Sequence, residues 1–422
     1  MLGQHTFQRN KSPLGLRIKL HMSKKLPDLI AIPLKCVSVR ANHLKANFPG
    51  IIKNIESRAL RNLEVRKNKS TSDLLLTWND WIDTAGQIFL KKEAENKKHE
   101  VPDILEKILN KQSSNNPVNY PINLNYGSGD NRDVYQKTLK LMSRNFKQPE
   151  YTQTDEESIE FLDRLSNSTG VTIGELVTLG NWLLTKNIYR FEDIVIKEVL
   201  KSGFEGNLPA YIVNLPEIST YIQTDNASLF FEEKRVVGVV FCKTELDGNL
   251  VLVSTLYLDD GLPRTIAMNI DEDQNIENCV TDFINDFQSQ LLEEENQKVV
   301  ADRIAIQKKI INLVLWFSQT EPDYQPMTPE TKNEKVSFTI IKGEKRLFES
   351  SKYRPFIVGR KTSEIFKKVY KDLEVAIQNG GGSGREPHLR KSHWHLYWYG
   401  KKGKFEKYEF KLLPVTVVSG AK

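Results

Sequence analysis

Cysteine is scarce: three residues in 422, Cys36, Cys242 and Cys279, widely spaced and odd in number. That excludes a disulfide scaffold, offers no zinc-finger spacing and fits a reducing compartment such as the cytoplasm. Long apolar runs are missing too. No stretch approaches the roughly 20 apolar residues a helical membrane span needs, so no membrane partner is expected. No phosphate-binding glycine loop follows a strand pattern: Gly380–Gly384 comes after a helical one and lacks the Lys-Ser/Thr ending. No internal repeat occurs. The first 22 residues hold no acid and no secretory apolar core. A signal peptide is therefore not expected, and the stretch before Met22 reads as transit-like or extraneous to the fold.

What is present is charge, unevenly placed. Lys+Arg number 60 against 54 Asp+Glu, a net +6. Residues 1–70 carry +12 and residues 380–422 carry +6, which leaves the middle at −12. Basic ends on an acidic body either attract phosphate or acidic surfaces or are simply solvated. At 39% hydrophobic and 27% charged residues the chain can build a core, and its length suits two or three domains.

Local patterns give the organisation. From Leu26 to Leu63, Pro27, Pro33 and Pro49-Gly50 punctuate short apolar runs without fixing a period. Leu74–Leu90 and Ile104–Leu109 read as amphipathic helices split by the charged run Lys91–His99. Residues 113–131, rich in Asn, Ser, Pro and Gly, read as a linker. Thr154-x-x-Glu157 and Thr172-x-x-Glu175 are capping boxes, predicting helices near 155–166 and 173–185, with a third at 190–201. A strand period follows at Ala210–Leu215, Tyr221–Gln223 and Leu229–Glu232. Arg235–Lys243 and Asn249–Leu258 flank Asp247-Gly248, a hairpin signal, and a strand is expected at Thr265–Asn269. Helices are expected over 275–294 and 297–318, a strand at Val336–Ile341, and a helix capped by Thr362 running to Gln378. Asp271–Asn275 lacks the glycine and glutamate of a calcium loop. Cys242 and Cys279 read as packing residues.

The chemistry gathers in the tail. His388, His393 and His395 stand in Pro387-His-Leu-Arg-Lys-Ser-His-Trp-His-Leu-Tyr-Trp-Tyr-Gly400. On a strand, His393, His395, Tyr397 and Tyr399 share one face; Trp394, Leu396 and Trp398 share the other. Gly400-Lys-Lys-Gly403 supplies a turn and Phe405–Leu412 a return strand, with Tyr408, Phe410 and Leu412 on one face. The indole side is expected to pack inward as core, rather than serve as a stacking platform for bases. Three readings of the histidine face stay open. His393 and His395 are base and acid of metal-independent RNA cleavage, with Arg390 and Lys391 steadying the charged transition state. Or His388, His393 and His395 ligate a metal. Or the imidazoles only bond neighbouring loops.

The tail and the core together resemble a known family, the type V-A anti-CRISPR family whose members suppress biogenesis of the type V-A CRISPR effector nuclease. The resemblance rests on Leu208–Pro216, the Val236–Phe241 strand, Leu313–Asp323, Ile357–Tyr370 with Gly359 and Arg360, and the tail. In the tail, Pro387, His388, Arg390, His393, Trp394, His395, Tyr397, Trp398 and Gly400 match by position; Glu386, Leu412 and Val418 depart. The resemblance covers about residues 165–420. It implies a protein that recognises the N-terminal part of the nascent effector polypeptide and causes loss of its transcript, with mRNA or ribosome as further partners.

The expectation is therefore an α+β protein: a basic, mainly helical region over 1–112, a linker over 113–131, and a mixed, mainly antiparallel sheet domain with flanking helices over 132–422. The last of these closes in a His/Trp β-hairpin over 385–418. Catalytic candidates are His393, His395 and Arg390; binding candidates are His388, Lys391, Tyr397 and Tyr399. Neither metal nor cofactor is expected. An RNA-cleaving enzyme, or a non-catalytic peptide- or RNA-binding protein, are the alternatives to the anti-CRISPR-like regulator.

Overall fold

The computed structural model describes residues 31–65, 74–96, 165–204, 206–207, 213–287, 297–329, 331, 336, 338–378, 388–401 and 404–418. The patterns read at 104–109, 113–131 and 155–164 lie outside them.

The proline-punctuated N-terminal stretch holds two helices, α1 (Ala31–Asn47) and α2 (Ile51–Val65). Pro33 sits in the first turn of α1, where a missing N–H breaks no helical bond. Pro49-Gly50 makes the break, with Gly50 at φ +75°. Next, α3 (Trp78–Asn96) starts on a reciprocal cap: Asp80 N–H donates to Thr77 Oγ1 at 3.0 Å and Thr77 N–H to Asp80 Oδ2 at 2.9 Å. The helix runs past the expected end at Leu90 to Asn96, into the charged run, because lysine and glutamate are good helix formers.

At α4 (Ile173–Trp182) the capping box forms only halfway. Thr172 Oγ1 accepts from Glu175 N–H at 3.2 Å, but the Glu175 carboxylate is taken by Arg40 of α1, with Nε–Oε1 at 2.7 Å. The third expected helix forms as α5 (Asp193–Lys201), starting three residues late because 190–191 end a strand that was not expected, β1 (Asn187–Phe191), buried throughout. Five residues buried on both faces carry no alternation, so the pattern does not tell strand from helix.

The sheet then builds through β2 (Ser219–Gln223), β3 (Phe230–Phe231), β4 (Lys234–Leu246), β5 (Asn249–Leu258) and β6 (Pro263–Asn269). The β4–β5 turn has Asp247 at φ +49° and Gly248 at φ +85°, as a tight hairpin requires. Helices α6 (Ile276–Phe287) and α7 (Gln297–Phe317), strands β7 (Tyr324–Pro326), β8 (Thr339–Ile341), β9 (Glu344–Arg346) and β10 (Arg354–Val358), and helix α8 (Arg360–Gln378) follow. The last helix begins two residues before the expected cap. Asp323 Oδ2 accepts from Thr362 N–H at 3.0 Å, and Gly359, at φ +78°, lets the turn approach Val195, which an added Cβ would meet at 2.7 Å.

The main sheet runs β6-β5-β4-β2-β1-β10-β7, with β3 against β4. β1 pairs in parallel with β2 and β10, and the remaining pairs are antiparallel. The near-continuous apolar run of β4 has a plain cause: both faces of the sheet are covered. Val236, Val239 and Phe241 join a core with α5, α6 and α7, whereas Val240, Cys242 and Leu246 join a second core with α1, α2, α3 and α4. The expected α+β architecture is what the chain adopts. No described helix is long and apolar enough to cross a membrane.

Candidate functional site

The tail folds as one long β-ribbon. Strands β11 (His388–Arg390) and β14 (Thr416–Val418) pair at its base, and β12 (His393–Lys401) and β13 (Lys404–Leu413) continue it outward. Lys391-Ser392 on one side and Pro414-Val415 on the other interrupt the pairing between the two halves. Ser392 anchors the ribbon: its hydroxyl lies 2.9 Å from that of Ser202 at the end of α5. Trp394 anchors it further. The indole is 7% exposed, stacks on Phe410 at 5.2 Å and donates its N–H to Asn312 Oδ1 of α7 at 2.7 Å.

The indole face is core only at its base. Leu396, Tyr408 and Leu412 pack partly against the body, but Trp398 is 46% exposed. This corrects the expectation of an inward Trp398. Trp398 lies toward the distal end of the ribbon, with Tyr408 directly opposite and ring centroids 5.7 Å apart.

The other face carries the candidates. Strand alternation puts His393, His395, Tyr397 and Tyr399 on it, with Lys401 following beyond the irregularity at Gly400, and the register places Leu413, Lys411, Glu409 and Lys407 opposite the first four. His395 is exposed and its ring lies 4.1 Å from that of Tyr397, over which Lys411 Nζ sits at 4.8 Å. Tyr399 donates its O–H to Glu409 Oε2 at 2.6 Å, and Lys411 Nζ reaches Glu409 Oε1 at 3.2 Å. That hydrogen bond holds the Tyr399 phenol above its usual range. With Lys411 it also holds the Glu409 carboxyl below its own. His393 is half-buried, its Nδ1 3.3 Å from the Lys391 carbonyl. At Gly400 a register shift coincides with φ +134°, a conformation that favours glycine.

His388 and Arg390 lie on the neighbouring base pair of strands, exposed, while Leu389 between them packs on the core; Lys391 is exposed at the interruption. So the ribbon carries all seven candidates, but only four share the outer face. Among the described residues no group of three or more His, Cys, Asp or Glu is placed to hold a metal ion. The set His388, His393 and His395 is not gathered as ligands. Sequence patterns missed Lys407, Glu409 and Lys411. Counting register back from Gly400–Gly403 finds them only if the bulge is known. Cys242 is inert for a simple reason: burial pushes its thiol up to about 12.

The architecture and the ribbon define a class: an α+β protein whose two-sided sheet carries a projecting, cationic and aromatic β-ribbon. Compared with known proteins, the chain matches the Anti-CRISPR type V subtype A2 family (AcrVA2-like) over residues 189–420, from within β1 to beyond the end of the ribbon. It belongs to that family. No curated protein matches it. A crystal structure of AcrVA2 aligns with 90% of this chain and 98% of that chain, at 14% identity and a TM-score of 0.49, too distant to transfer the role of any residue.

Proposed function

We propose that this chain acts as a type V-A anti-CRISPR regulator that recognises the N-terminal segment of the nascent effector polypeptide and causes loss of its transcript. The observation that carries the reading is family membership over 189–420, a span that contains the tail motif. The charge layout supports it: an acidic middle of −12 suits a basic peptide, and basic ends suit a ribosome-bound transcript. In this reading His388, Lys391, Tyr397 and Tyr399 bind. The test is a pull-down of ribosome–nascent-chain complexes with the full chain. Enrichment of type V-A effector N-terminal segments over control chains is the expected result, and no enrichment removes the assigned partner.

One observation favours RNA cleavage by the chain itself as a second reading. The Lys391 carbonyl is an acceptor, so a hydrogen bond to it uses His393 Nδ1–H, and in the neutral ring that leaves Nε2 for general-base work. His395, two residues on, is then the general acid and Arg390 the transition-state cation. Cleavage of a labelled transcript in chelator, lost in His393→Ala and His395→Ala with folding intact, supports this reading; no cleavage by the parent chain discards it.

A further inference from the structure

The ribbon's outer face joins two features that the function above does not require together. Tyr397 and Tyr399 sit two residues apart on β12, Tyr399 46% exposed, with the exposed His395 ring against Tyr397. Around them stand Lys401, Lys407 and Lys411 against one acid, Glu409. That acid is already engaged by the Tyr399 hydroxyl and by Lys411. The face is thus a row of rings edged by cations, with its only described carboxylate internally neutralised. The exposed rings of His395 and Tyr399 offer π-faces to bases irrespective of sequence, and flexible lysines follow a phosphate backbone. A basic peptide would need free carboxylates, and the one described on this face, Glu409, is engaged.

We infer that the His395–Tyr397–Tyr399 face of the ribbon, edged by Lys401, Lys407 and Lys411, is a sequence-tolerant platform for single-stranded RNA. The inference rests on the transcript-directed reading for the choice of RNA and for which RNA is met in the cell. The opposite face anchors: Trp394 fixes the ribbon to α7 and Phe410 backs it, so the platform is held away from the body. Lys411 both lies over Tyr397 and pairs with Glu409, which orders the ring row in advance of binding.

Fluorescence anisotropy of a labelled 12-nucleotide oligouridine with the full chain tests this without ribosomes. Binding should weaken steeply with salt, and Lys401→Gln with Lys407→Gln should lower the slope of log affinity against log salt by about 1.4. Tyr397→Ala with Tyr399→Ala should weaken binding roughly 5- to 100-fold. Should the alanines unsettle the ribbon, the exposed lysine pair still reports, with circular dichroism as the control for folding. No salt-dependent binding, or binding that both pairs leave unchanged, overturns the inference. So does loss of nascent-chain capture by these variants at unaltered oligouridine affinity, which would give the face to the polypeptide. If the parent chain binds oligouridine through these residues yet captures no type V-A nascent chain, the partner reading fails and the platform stands.

Discussion

The Trp394 indole donates to Asn312 Oδ1 at 2.7 Å, and the Asn312 amide N–H groups donate in turn to the Lys308 and Lys309 carbonyls of α7 at 2.8 and 3.1 Å. This bond ties β12 to α7, and the stack on Phe410 ties β12 to β13. Replacing Trp394 by Phe keeps the stack but leaves the Asn312 oxygen buried and unpaired, a cost of about 1–3 kcal/mol. Trp394→Ala also opens a cavity and should cost about 3–5 kcal/mol. Urea unfolding of both variants checks the order.

A second tie joins the N-terminal helices to the sheet domain. Glu175 is fully buried and Arg40 grips it, while Arg40 Nη2 also donates to the Gly170 carbonyl at 2.7 Å. Burial pushes the Glu175 carboxyl up and Arg40 opposes that shift. Arg40→Ala strands a buried carboxylate, so a loss of about 3–5 kcal/mol is expected. Adding Glu175→Gln should recover part of it, measured as the midpoint of thermal unfolding in a double-mutant cycle.

A third prediction concerns pH. Glu217 lies two residues before β2, its Oε1 accepting from Tyr189 O–H and Asn187 Nδ2–H, while its Oε2 has no hydrogen-bond partner. Burial pushes its carboxyl from 4.5 up to about 7. The folded chain therefore binds a proton between those values that the unfolded chain has released. This contribution to stability is full below about pH 4.5 and is lost as pH rises through 7, on the order of 3 kcal/mol in all. Glu217→Gln should flatten that part of the stability–pH curve; an unchanged slope would assign it to other groups.

At the distal end of the ribbon, Gly400 has φ +134° where the register shifts. Gly400→Ala should destabilise the outer ribbon by about 1 kcal/mol and leave the core intact. Faster amide hydrogen exchange confined to 396–409 would show this.

Legibility in the sequence followed physical rules. The β4–β5 hairpin was legible because Asp247-Gly248 announces the turn, and the tail because its His/Trp alternation has period two. Strand β1 was not, since NIYRF is buried on both faces and carries no period. Strand β10 starts Arg354-Pro355, and proline disguises a strand start. Arg40 and Glu175 are 135 positions apart, so local pattern proposes the full capping box and carries no sign that Arg40 takes the Glu175 carboxylate. Trp398 was misjudged because alternation assigns a face but not how far a ribbon extends past its core.

The central claim is that the polypeptide, rather than the nucleotide sequence, selects the transcript to be lost. Effector transcript levels should be measured in cells with and without this protein for two altered genes. One carries synonymous codons over the N-terminal segment; the other is frame-shifted there with nearly the same nucleotides. The account predicts loss of the synonymous transcript and survival of the frame-shifted one. Equal loss of both, or survival of the synonymous transcript, would contradict it.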